Sequence, residues 1–127
     1  MMKYTALILG TILSLTSPAF ALGEHSHAGK HGGKVVETGH HHIEIVVKDG
    51  SLEVYLAHDD GDAEDVKDAK AKATILSEGQ KHEIDLIPDP ANFLKGTGSF
   101  KATKGTTIVV TLTMPDHKPE QARVRLD

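Results

Sequence analysis

The chain has 127 residues, 14 Lys and Arg against 18 Asp and Glu for a formal net charge of −4, and no cysteine or tryptophan. An acidic balance disfavours nucleic acid and anionic membrane as partners. Missing thiols exclude disulfide staples, a cysteine nucleophile and thiolate metal ligands.

In chain order, Lys3, the apolar run Ala6 to Leu15 and the small-x-small step Ala19-Phe20-Ala21 after Pro18 read as a cleavable secretory signal peptide over residues 1–21. The apolar run is shorter than the ~20 residues a bilayer-spanning helix needs. Cleavage leaves roughly 100 residues, enough for one small domain held by core packing. Residues 22–33 are rich in His, Gly and small polar residues without apolar periodicity, which predicts a flexible His-rich arm.

From Lys34 to Asp127 the pattern is that of short strands punctuated by turns. Val35-Val36 is a first strand, and Thr38-Gly39 a turn. His41 to Lys48 alternates, with His41, Ile43, Ile45 and Val47 on one face and His40, His42, Glu44 and Val46 on the other. Asp49-Gly50 is a hairpin signal leading into Leu52 to Ala57. An acidic loop spans His58 to Asp68; its order of acids does not match a calcium-binding loop. Lys70 to Leu76 and Gln80 to Ile87 alternate around a Glu78-Gly79 turn, and Pro88-Asp89-Pro90 is expected to end the second of them. Phe93-Leu94 and Phe100 are apolar anchors, Thr106 to Met114 is the most β-prone stretch, and Ala122 to Leu126 closes the chain. About seven short strands predict an all-β fold, an antiparallel immunoglobulin-like β-sandwich.

The chemistry lies in the histidines. Six of nine, His25, His27, His31, His40, His41 and His42, fall between positions 25 and 42. Neutral imidazole is a common ligand for borderline transition metals, and such ions need this ligand density whereas solubility does not. His25, His27 and His31 on the arm could reach one ion at a cost in ordering entropy, which predicts a fast-exchanging site. On a strand, His40 and His42 leave one face about 7 Å apart at Cα, with Glu44 next on that face as a third ligand or as acceptor for an imidazole N–H. Strand parity makes His41 an edge-of-core residue. His58 beside Asp59 fits a surface ion pair or a His-carboxylate metal site. His82 is expected half-buried and His117 solvated. No catalytic set is present: there is no G-x-S-x-G elbow and no H-E-x-x-H helix. A copper-zinc dismutase-like enzyme would need cysteines and spaced ligands that are not found.

At His31-Gly32-Gly33-Lys34-Val35-Val36-Glu37, followed by Gly39, His42-Ile43-Glu44-Ile45 and Leu52-Glu53-Val54-Tyr55-Leu56, the chain resembles a small periplasmic heavy-metal-associated domain that opens on HGG. It is similar to segments of the periplasmic adaptor subunits of heavy-metal efflux pumps of the resistance-nodulation-division class. The resemblance implies a β-sandwich exported to the periplasm, tied to metal tolerance or efflux and to periplasmic components of an efflux system. The helical hairpin and barrel parts of the adaptors have no counterpart here. The expected function is buffering or delivery of Zn(II), Cu(II), Ni(II) or Co(II) without catalysis. A mature chain whose sole methionine is Met114 and which has no cysteine argues against a soft-sulfur Cu(I) site. The other reading is an envelope binding or assembly module that takes no metal.

Overall fold

The computed structural model describes residues 26–127, and among them there is no helix. Nine antiparallel strands form one curled sheet in the order β1-β2-β3-β4-β7-β6-β5-β8-β9. They are β1 (Ser26–Ala28), β2 (Lys34–Glu37), β3 (His42–Lys48), β4 (Ser51–Ala57), β5 (Lys70–Ser77), β6 (Gln80–Asp89), β7 (Phe93–Thr97), β8 (Thr107–Thr113) and β9 (Glu120–Arg125). The signal-peptide reading and His25 lie outside the described residues.

Alternation of apolar and polar residues sets which side of the sheet is core. Ile43 and Ile45 of β3, Leu52, Val54 and Leu56 of β4, Ala73 and Ile75 of β5, and Ile108, Val110 and Leu112 of β8 point inward and are buried. Val66, Phe100 and Met114, from the connections, fill the same core. Burying an aliphatic side chain of this size contributes about 1.5–3 kcal/mol, so a domain without disulfides is held mainly by this layer. Tight turns fix the register: β5 and β6 pair down to Ser77 with Gln80, and Glu78 (φ 51°) and Gly79 (φ 75°) both take the left-handed conformation that a two-residue hairpin demands.

Two expectations are corrected here. Seven strands in two sheets become nine in one, because β6 is long enough to pair with β5 as far as Leu86 and then with β7 over Ile87 to Asp89. The strand takes in Pro88 and ends at Asp89, inside the Pro88-Asp89-Pro90 segment expected to stop it. Beyond Leu86 the strand has a neighbour on one side only, and a residue without an N–H is tolerated there. The flexible arm expected over 22–33 is sheet from Ser26 onward: β1 pairs with β2 (His27 opposite Val35), and Gly29 to Gly33 is the connecting turn.

Curling brings β2 beside β9. The Lys34 ammonium donates to the Arg125 carbonyl at 2.6 Å and meets the Asp127 carboxylate at 3.0 Å. Thr38 Oγ1 lies 3.2 Å from Glu120 Oε1, so side chains rather than a strand ladder close this seam.

Candidate metal centre

The outer face of β1 to β4 carries the residues opposite in parity to the core. Register places His27 opposite Val35, Val35 opposite Glu44, Glu44 opposite Tyr55, and His42 opposite Glu37 and Ala57. The Gly29–Gly33 turn folds back over this face and buries Glu44 to 6% exposure. Glu44 Oε2 accepts the backbone N–H of His31 at 2.8 Å and of Gly33 at 2.9 Å, while Oε1 stands 2.7 Å from His31 Nδ1. Glycine is required for so close an approach: a Cβ on Gly29 would sit 2.2 Å from the Glu44 carboxyl carbon, and one on Gly33 would sit 2.4 Å from the Ile45 carbonyl oxygen. The HGG signal thus has a physical meaning. It is a turn shaped to hold a buried carboxylate.

Burial alone would push the Glu44 carboxyl up. The bond to His31, the two backbone N–H groups and the His31 charge outweigh it and hold the group below 4.5. The His31 ring lies flat on Tyr55, with centroids 3.6 Å apart and planes 6° from parallel, and Tyr55 in turn stacks on Phe93. Burial, followed by the bond to Glu53 and nearby carboxylate charge, pushes the Tyr55 hydroxyl up to about 12, so it stays a neutral phenol at physiological pH.

His31 is therefore fixed at one ring nitrogen and one ring face. In the neutral ring that donates Nδ1–H to Glu44, Nε2 keeps its lone pair, and among the described residues nothing hydrogen-bonds to it. This carboxylate-imidazole pairing is the one that orients metal-binding histidines. His27, His31, His42 and Glu44 line one cavity of about 500 Å³ with Tyr55 and Asn92. The His27 and His42 rings are 6.4 Å apart, edge to face. A larger hollow of about 860 Å³ over β5, β6 and β8 contains no histidine. Among the described residues no group of three or more His, Asp or Glu side chains is arranged to hold an ion as it stands.

Site membership differs from the sequence reading. His40 and His42 were expected to form a pair, yet β3 begins only at His42, so His40 lies in the turn and strand parity does not govern it. Its neighbours are the rings of His41 and His117, at 6.4 and 5.6 Å. His42 instead joins His27 and His31 because β1 doubles back along β2. His58 was expected beside Asp59; its nearest carboxylate is Glu64, with Nδ1 3.8 Å from Oε2, whereas Asp59 lies 3.8 Å from His42 Nε2.

His41 also precedes β3, yet it is buried to 3% exposure, between two carboxylates the sequence did not indicate. Its Nδ1 is 2.6 Å from Glu120 Oε2 and its Nε2 is 2.8 Å from Glu64 Oε2. These acids lie 23 and 79 positions along the chain, beyond any local pattern. Comparison with known protein families, characterised proteins and solved structures gives no match for this chain.

Proposed function

We propose that the chain is a periplasmic metal-binding protein that takes up a divalent transition metal, Zn(II), Cu(II), Ni(II) or Co(II), and buffers it or passes it to components of a metal efflux system, with no catalytic step. The observation that supports this most is His31. Its Nδ1 is held by a buried carboxylate, its ring is locked on Tyr55, and its Nε2 is left unpartnered at a cavity that His27 and His42 also line. A merely solvated histidine needs none of this support.

His31 is the fixed ligand in this reading, and His27 and His42 turn toward the ion as it enters. His27 is exposed on a three-residue edge strand, so its movement costs little packing. Such a site binds moderately and releases quickly, which suits buffering and hand-over better than permanent storage. Glu44 orients His31 and does not itself ligate. In the same reading the two halves of the sheet, joined through β6, act as the layers of an immunoglobulin-type scaffold.

Equilibrium dialysis at pH 7.5 against the four metals tests the proposal. At least one should bind more tightly than ~0.1 mM, the weak end of useful site affinities, and the double change His27→Ala with His42→Ala should weaken it at least tenfold. No binding by the parent chain would leave an envelope assembly module as the better reading.

A further inference from the structure

The seam between β2 and β9, at the turn that leads from β2 to β3, holds a polar arrangement that the cavity over Glu44 does not use. Glu64 Oε2 is buried and has no hydrogen-bond partner, although His41 Nε2 stands 2.8 Å from it. A buried carboxylate oxygen left without a partner is costly, so it calls for a positive partner. Glu120 engages His41 at the other ring nitrogen, and its second oxygen is fixed by Thr38. With Nδ1–H donated to Glu120, the Nε2 lone pair faces the Glu64 oxygen. Two electron-rich atoms this close are stable only with a proton or a cation between them. On the open side, His58 Nδ1 lies 3.8 Å from the same oxygen with its side chain 53% exposed.

We propose that Glu64, His41 and His58 form a second divalent-cation site, with Glu120 as the carboxylate that orients His41. Two imidazole nitrogens and one carboxylate oxygen match a borderline ion such as Zn(II) or Co(II), and are a poor match for Ca(II) or Mg(II), which take mostly oxygen. Ligands about 2.0–2.1 Å from a tetrahedral ion stand roughly 3.4 Å apart, so His41 and Glu64 must part by about half an ångström. His58 is free to close from solvent, and the exposed His117, its ring 5.9 Å from that of His41, is within reach as a fourth ligand. Because the ligands come from the turn before β3 and the loop after β4, with Glu120 on β9 behind them, a bound ion ties together the seam that lacks a strand ladder. None of these side chains lines the first cavity, so either site can fail without the other.

Co(II) alone is the probe, since its visible absorption reports ligand number, and the full chain is titrated. The parent chain should bind two ions, Glu64→Gln and His58→Ala one each, and His27→Ala with His42→Ala one. His58→Ala removes an exposed ring, so it keeps the test decisive should Glu64→Gln fold poorly. If both Glu64→Gln and His58→Ala bind as much Co(II) as the parent, the second site is refuted and the cavity reading is untouched. If His27→Ala with His42→Ala binds as much as the parent while Glu64→Gln binds none, the second site stands and the cavity reading fails.

Discussion

Replacing Glu44 by glutamine separates the two tasks assigned to its carboxylate. The side chain keeps its shape, so packing is preserved, but three charge-assisted hydrogen bonds become neutral ones. Charge-assisted bonds contribute about 1.5–3 kcal/mol and neutral ones about 0.5–1.5 kcal/mol, so roughly 3 kcal/mol is at stake over the three. Not having to bury a charge returns part of this, and a net loss of about 2 kcal/mol is expected. For a domain of this size that corresponds to roughly 8–16 °C in Tm. The second effect is chemical. The amide oxygen accepts the N–H groups of His31 and Gly33, which leaves the amide NH2 facing His31 Nδ1. The ring must then accept at Nδ1 and carry its proton on Nε2, the nitrogen proposed to bind metal. Metal affinity should fall about 10–100-fold, the usual effect of removing such an orienting partner. Circular dichroism gives Tm in the absence of metal, and long-range nitrogen–proton NMR correlations of the His31 ring give the tautomer. An unchanged Tm together with an unchanged tautomer would refute this account of Glu44.

Three further outcomes follow from the same face. The Glu44 carboxyl is held below 4.5 in the folded chain, so its stabilisation is complete above its unfolded value and is lost as pH falls through the lower folded one; urea unfolding from pH 6 to 3 should show the gap between parent and Glu44→Gln shrinking with acid, and a constant gap would contradict this. Gly29→Ala places a methyl 2.2 Å from the Glu44 carboxyl carbon and should cost about 1–3 kcal/mol with loss of metal binding, whereas Gly32→Ala meets no neighbour and should cost only about 1 kcal/mol of left-handed strain at φ 81° without touching the site. In a spectrophotometric titration one tyrosine should ionise near 12 rather than 10, and Tyr55→Phe should remove that step.

Most of the strands were legible because each core strand alternates cleanly. The two that escaped have physical reasons to be silent. β1 is three residues of Ser, His and Ala with no apolar pattern, and it is strand only because β2 offers it an edge. β7 carries Lys95 and Gly96, and Gly96 is there because a Cβ would sit 2.7 Å from Leu86. The sequence placed Glu44 on the face of His42 and named it as an acceptor for an imidazole, yet the histidine it holds is His31, eleven positions before His42. That pairing depends on the fold-back of the Gly29–Gly33 turn. Crowding of Gly29, Gly32 and Gly33 around His31 was the available signal for it. For the pairing of His41 with Glu64 and Glu120 there was none, since it depends on how far the sheet curls.

The most direct measurement is an anomalous difference map from crystals of the chain soaked in Zn(II) at pH 7.5. A peak about 2.0–2.1 Å from His31 Nε2, with nitrogens of His27 and His42 completing its ligands, is the predicted result. Zinc bound elsewhere, with His31 Nε2 facing only solvent, would contradict the assignment of this face as the metal centre.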